Sequence, residues 1–398
     1  MPTLTEETPV PPQYLRIPGP TPLHDAVREA GAAQMVGQRT EDFMELVGRC
    51  SEGMRPYFQT KSDVMIITSS GTGGLEAAVV SFLSPGDPVL TVSIGNFGER
   101  FGKIAKAYGA DATPLDFDWG QAADPDVVRG AIREMVAAGR SPKAVQVTYN
   151  ETSTGVTNPL PRLAEVIRSE VPDTLILVDG VSAVGAIPTE MDAWDLDVVV
   201  TGAQKAWMIP PGLAMAAASD RAWAAAETAK MPRFYFDLVK HRDAMPKGQT
   251  PWTPAVGIFI QLAVALDIME AEGRQNIYAR HAAAGAAARA GLAAMGFDLF
   301  ADPAHASNTV TSALVPEGTD WSALNKRLRA TGLQLAGGQG KLKGKLLRIG
   351  HLGDATVDDI VTAIEIIEQG ALAIGLPVEA GAGPDAVSYT HLTLPTIC

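Results

Sequence analysis

The chain has 398 residues, 46% of them hydrophobic and 19% charged, and a formal net charge of −13. That size and composition suit a folded chain of two domains and not a disordered one, and the acidic balance without a long basic run argues against a general nucleic-acid or anionic-membrane surface. No apolar stretch approaches the roughly 18 residues a membrane helix needs, and six scattered histidines give no metal-binding spacing, so no metal is expected.

The two cysteines, Cys50 and Cys398, make no CxxC pair and no disulfide framework. The first residues lack the basic and apolar regions of a signal peptide, so a reducing, cytoplasmic setting is the expectation.

In chain order, residues 1–20 are proline-rich and read as an extended arm. Pro22 to Phe58 reads as helical with polar interruptions. The pattern then alternates. Val64–Thr68 is an apolar strand, Gly71-Thr-Gly-Gly74 a turn, and Leu75–Leu83 a helix stopped by Ser84-Pro-Gly86. Pro88–Val92 is a strand and Phe97–Tyr108 a helix. Ala144–Thr148 is a strand, Leu160–Val171 a helix, and Thr174–Asp179, Asp197–Thr201 and Leu213–Ala218 are strands. Such alternation predicts an α/β fold with a mainly parallel, doubly wound sheet, spanning 21–260. Residues 259–295 are alanine-rich with helical spacing. Strand-like Thr309–Val315 and Leu346–Ile349, with helices at Trp321–Ala330 and Val357–Ile374, predict a smaller C-terminal α/β domain over 261–384. The stretch from about Val387 breaks from the Ala/Gly/Pro-rich composition before it, so 385–398 reads as a non-native tail.

Ligands of doubly wound sheets sit at the carboxyl ends of the strands. Gly71, Glu151, Asp179 and Lys205 all fall just past predicted strand ends. Lysine is rarely buried without a partner, and one at the exit of an apolar strand can become a nucleophilic amine. A Schiff-base lysine with an aspartate for a pyridinium nitrogen is the pairing that pyridoxal phosphate (PLP) requires. Ser69-Ser-Gly-Thr-Gly-Gly74 joins a strand to a helix, where glycines and free N–H groups can receive a phosphate. It is neither a Walker loop nor a GxGxxG dinucleotide turn. Val181 can lie against a ring face, and Thr152 can reach the cofactor's phenolic oxygen. Arg348, inside a short apolar strand, needs a partner or a cleft, and a carboxylate clamp would use its fork.

These residues resemble a known family. Ile17-Pro-Gly-Pro-Thr21, Gly71-Thr-Gly-Gly-Leu-Glu-Ala77, Asn150-Glu-Thr-Ser-Thr-Gly155, Leu177-Val-Asp-Gly-Val181, Gly202-Ala-Gln-Lys-Ala206 with Pro210-Pro-Gly212, Thr250-Pro-Trp-Thr-Pro254 and Leu347-Arg-Ile-Gly350 occur in that order. Over roughly residues 14–380 the chain looks like a class V, fold-type I PLP-dependent aminotransferase of the alanine–glyoxylate / serine–pyruvate group. The resemblance implies that Lys205 forms the Schiff base and shuttles the proton, and that Asp179 pairs with the pyridine nitrogen. It implies that Thr72, Gly73, Gly74 and Gln204 cradle the phosphate, and that Phe97 stands where relatives stack a tryptophan on the ring. Thr253, with Thr250, would reach the phosphate of a neighbouring subunit in a homodimer. Arg348 would clamp the substrate carboxylate, and Gly19 lies on the arm lining that pocket.

The expected reaction is transamination of alanine or serine with glyoxylate or pyruvate. No second arginine is evident for a distal carboxylate, Arg39 excepted. The alternatives are a ureidoglycine–glyoxylate aminotransferase, a cysteine desulfurase-like lyase and a non-catalytic subunit that keeps the fold.

Overall fold

The computed structural model describes residues 14–393. Seven strands form the central sheet: β1 (Val64–Ser69), β2 (Pro88–Ser93), β3 (Asp111–Asp116), β4 (Ala144–Thr148), β5 (Leu175–Asp179), β6 (Val198–Gly202) and β7 (Gly212–Ala218). Their order is β1-β7-β6-β5-β4-β2-β3. β6 through β3 pair in parallel. Only β7 is reversed, pairing antiparallel with both β6 and β1. Residues 203–211 alone connect β6 to β7, too short a link for the crossover that a parallel neighbour demands.

The elements not foreseen from sequence include β3, the helix Pro125–Ala137 and two short helices, Asp220–Ala226 and Leu238–Ala244. β3 reads Asp-Ala-Thr-Pro-Leu-Asp and is only partly buried. It is an edge strand, the place where a proline is tolerated in a sheet. The helical reading of Pro22–Phe58 divides into Asp25–Ala30 and α1 (Glu41–Phe58), with residues 31–40 as a loop.

α2 (Gly71–Phe82) follows β1 and packs on the sheet through Gly74. A Cβ at Gly74 would lie 2.7 Å from Val200 Cγ1 and 2.9 Å from the Ala214 Cβ. Any side chain there overpacks the helix–sheet contact, at a cost of about 1–3 kcal/mol. Asp197 fastens the opposite end of the sheet. It is fully buried and bridges Arg168 and Arg221, while its Oδ2 accepts the Ile176 N–H at 2.7 Å.

Past the sheet, α4 (Val256–Glu272) remains in the large-domain core through Phe259, Leu262 and Leu266. Ile277 and Tyr278 of the next helix join the same core, so the large-domain core extends past the expected boundary at 260. α5 (Arg274–Ala294) opens the small domain. There β8 (Val310–Leu314), β9 (Ala336–Gly337) and β10 (Leu346–Gly350) form an antiparallel sheet in the order β8-β10-β9. α6 (Val357–Ala373) and α7 (Ala382–Thr393) complete it. Val387 of α7 is fully buried among Leu292, Phe297 and Ile364, so the expected break at 385 falls inside a packed helix. Residues 1–13 of the arm and residues 394–398, with Cys398, lie outside the described residues. Among the described residues no helix is long and apolar enough to cross a membrane.

Candidate active site

The carboxyl ends of β1, β5 and β6 open on a cavity of about 220 Å³. Thr72, Phe97, Thr152, Asp179, Val181, Gln204 and Lys205 line it. The strand-end reading thus brings together residues spread over more than a hundred positions.

Two segments, β6 and the arm, hold Lys205. It follows β6, its carbonyl accepts the Thr21 hydroxyl at 3.2 Å, and its Nζ donates to the Pro18 carbonyl. The arm lies directly over the amine. A Cβ at Gly19, where φ is +103°, would sit 2.7 Å from Nζ. Burial, reinforced by the positive charge of Arg348 and opposed by Asp179, lowers the amine's pKa to about 8. Asp179 accepts the Val181 N–H at 3.0 Å. Burial pushes its pKa up to about 7, Glu151 adds to the rise, and the charges of Lys205 and Arg100 oppose it.

Ser70 caps α2, its hydroxyl accepting the Gly73 N–H at 3.5 Å. The Gly74 N–H goes to the Ser70 carbonyl. Helix geometry leaves the N–H groups of Gly71 and Thr72 without intrahelical acceptors, a ready anion site. Gln204 also faces the cavity, and its buried Oε1 has no partner among the described residues. Gly73 and Gly74 do not line the cavity. Their contribution is close packing, since a Cβ on Gly73 would collide with Ser69 Oγ and the Phe236 ring. Val181 packs against Gly71, where a Cβ would meet Val181 Cγ2 at 2.8 Å.

Glu151 is a cap and not a ligand-facing carboxylate. It is fully buried, and its Oε2 accepts the N–H groups of Phe97 and Gly98 at 2.9 and 3.0 Å. Its Oε1 accepts the Ser153 N–H and hydroxyl at 3.0 and 2.6 Å. Burial raises its pKa against those four hydrogen bonds. Its work is to fix the first turn of α3 (Asn96–Ala107), and with it Phe97 at the cavity wall.

Arg348 is buried in β10. Its Nε donates to the Gly337 carbonyl at 3.0 Å and its Nη1 to the Thr152 carbonyl at 2.6 Å. No carboxylate lies within ion-pair distance of it among the described residues. Burial lowers its pKa to about 10, with Glu151 opposing. A buried cation held by carbonyls keeps N–H groups for an external anion.

Sequence reading missed Arg100, Asn150, Ser182 and Leu75, which also line the cavity. Arg100 stands three residues beyond Phe97 on one helix, the spacing that places two side chains on one face, and its guanidinium lies 4.7 Å from that ring's centroid. Thr250, Thr253 and Arg39 do not line their own chain's cavity. Thr250 donates to the Trp252 carbonyl at 2.6 Å, exposed Thr253 accepts from Gln38 at 3.4 Å, and exposed Arg39 reaches Gln249 at 3.4 Å. The three residues occupy neighbouring positions on the surface.

The sequence model of the aminotransferase class V family matches residues 25–345. A protein named soluble hydrogenase 42 kDa subunit, of Anabaena cylindrica, is 39% identical over 94% of this chain and 97% of its own. An L-aspartate–glyoxylate aminotransferase of Paracoccus denitrificans is 34% identical over 92% of this chain and 93% of its own. A serine–glyoxylate aminotransferase of Methylorubrum extorquens is also 34% identical, over 94% and 95%. Among solved structures, the ureidoglycine–glyoxylate aminotransferase of Bacillus subtilis superposes with a TM-score of 0.89 at 29% identity, over 97% of this chain and 100% of that one.

The electrostatics of the site yield a prediction. A lysine-selective acylating reagent should modify Lys205 with a pH midpoint near 8, because the neutral amine is the reactive form. Arg348→Met removes a neighbouring positive charge and should move that midpoint upward. Peptide mapping across a pH series measures both. A midpoint at the ordinary 10.5 in the native chain would refute the buried-amine geometry.

Proposed function

Since the chain belongs to the class V aminotransferase family, we propose that it moves an amino group from alanine or serine to glyoxylate or pyruvate, with pyridoxal 5′-phosphate held in the cavity of Lys205. The observation that carries this reading is that Lys205 and Asp179 face one cavity, while Arg348, bonded to the carbonyl of cavity-lining Thr152, bears on the charge of Lys205. When bound, PLP supplies an electron sink for charge at the substrate α-carbon.

The chain's own groups suit the remaining tasks. Lys205 is the amine that would hold the cofactor and, once released, carry a proton. A pKa near 8 leaves it able both to donate and to accept. Asp179 faces the cavity as a buried carboxyl whose pKa is held up by burial. A cationic ring nitrogen beside it would pull that pKa down and keep it ionised. Phe97 and Val181 would sandwich the ring. The helix start at Gly71 and Thr72, with Gln204, would take the phosphate. Arg348 keeps its remaining Nη N–H groups for the substrate carboxylate, and Thr152 and Gly337 fix the plane of its fork. Gly19 keeps side chains away from the amine.

A shared dimeric site is part of the proposal. Thr250 and Thr253 do not line the cavity of their own chain. Beside them Phe234, Met35, Val36 and Tyr235 are exposed, and Phe234 stacks on Trp252 at 4.8 Å. A second chain covering this apolar group would bring Thr250, Thr253 and Arg39 toward its own site.

A second donor reading has its own observation. Arg100 lines the cavity with no carboxylate partner among the described residues, so a dicarboxylic donor such as aspartate has a cation to meet. The desulfurase alternative fares worse. Cys50 is fully buried in the core, burial pushes its thiol up to about 12, and Gln204 precedes the lysine. The relative named as a hydrogenase subunit motivates a non-catalytic reading, against which the complete lysine–aspartate–arginine set weighs.

Borohydride reduction of the PLP-loaded protein, followed by peptide mapping, should place the pyridoxyl group on Lys205, and Lys205→Ala should lose both label and turnover. A label on another lysine would sink the assignment. Sedimentation at micromolar concentration should show two chains; a fully active monomer would remove Thr250 and Thr253 from the site. In a donor–acceptor panel, alanine or serine with glyoxylate or pyruvate should lead. Arg348→Lys keeps the charge but loses the planar fork, so KM should rise for amino and oxo acid alike. Faster turnover with aspartate, lost in Arg100→Met, would establish the dicarboxylate reading instead.

A further inference from the structure

A second cavity, of about 270 Å³, lies where the loop ending at Gly155 meets the small domain. Its walls are mostly apolar, from Ala290, Leu299, Ala306 and Val310 among others. Four polar residues interrupt them, Arg289, Ser307, Thr311 and Ser312, of which Ser307 and Thr311 spend their hydroxyls on Asn150 and His351. Ser312 on β8 is 2% exposed, and its buried Oγ has no partner among the described residues. Arg289 on α5 is half-buried. Its Nη1 donates to the Ser307 carbonyl at 2.9 Å and its Nη2 reaches Asn308 Oδ1 at 3.4 Å. No carboxylate lies within ion-pair distance of it among the described residues. Arg16 and Arg280, also withdrawn from solvent, are instead paired with Asp359 and Glu272. Arg289 therefore shares with Arg348 the signature of a cation held by neutral acceptors beside a cavity.

An orphaned hydroxyl and an uncompensated guanidinium on one apolar cavity call for one anionic head and one hydrocarbon tail. We propose that this cavity is a second ligand site and that it takes a small aliphatic monocarboxylate. The carboxylate would accept from Arg289 and Ser312, and the tail would lie on the alanine, leucine and valine walls. One cation fits one carboxylate. The site is distinct from the Lys205 cavity but joined to it. Ser307, which accepts from Arg289, donates from its own hydroxyl to Asn150 Oδ1 at 2.7 Å. Asn150 in turn donates to Ser182 at 2.8 Å, and both residues line the Lys205 cavity.

Calorimetric titration of sodium pentanoate into the holoenzyme tests this. Arg348→Gln removes the substrate clamp and should leave one saturable site intact. Arg289→Gln should weaken that site at least tenfold. Ala290→Phe fills the cavity from α5, leaves Arg289 and Ser312 in place, and should abolish it; this variant decides the matter where Arg289→Gln fails to fold. Absence of saturable binding in the unsubstituted protein overturns the proposal. So does binding that vanishes in Arg348→Gln yet persists in Ala290→Phe, which would assign pentanoate to the substrate clamp.

Discussion

A lysine amine withdrawn from water must be given an acceptor, and much of this structure follows from how Lys205 gets one. The acceptor is the Pro18 carbonyl. For that carbonyl to reach the amine, the arm must cross the end of the central sheet, and residue 19 must be glycine. The arm must also be held at both ends. Thr21 bonds to the backbone carbonyls of Gln204 and Lys205. Tyr14–Leu15 pairs in parallel with Leu333–Gln334, and Arg16 is ion-paired with Asp359. Where the arm passes β10 the fit is close, since a Cβ on Gly350 would lie 2.2 Å from the Ile17 carbonyl oxygen. One short segment therefore ties the small domain that carries Arg348 to the lysine of the large one.

Charge is managed differently at the two ends of the central sheet. At the end away from the cavity, Asp197 is saturated by two arginines, the Ile176 N–H and the Ser219 hydroxyl, and nothing is left over for chemistry. At the cavity end, Lys205, Asp179, Arg348 and Arg100 influence one another but form no direct ion pairs. Burial without neutralisation moves the pKa of Lys205 down and that of Asp179 up, toward one another. A site in this condition is prepared for a ligand with both a cationic ring nitrogen and an anionic carboxylate. Glu151 completes the contrast, because this buried carboxylate lies close by yet spends both oxygens on N–H and O–H donors and serves as scaffold.

Sequence alone determined most of the strands and helices of the large domain and the positions of Lys205 and Asp179 at strand exits. Apolar runs of strand length and the turn residues that end them are local signals, and a doubly wound sheet converts strand ends into one edge. It also gave Arg348, because a charge inside an apolar strand is conspicuous in one dimension. Only the tertiary structure decided the rest. β3 was hidden because an edge strand may be polar and contain proline. The reversal of β7 depended on the length of a connection and not on any residue. Gly74 read as part of a phosphate turn and proved to be a contact between helix and sheet, because the distance to Val200 and Ala214 exists only after folding. Glu151 read as a candidate on the ligand edge and proved to be a cap, Arg100 carried only its helical spacing from Phe97, and Arg289 gave no signal at all. Whether a charged side chain is neutralised or left free depends on what the fold brings within hydrogen-bond reach, and that is a property of contacts distant in the chain.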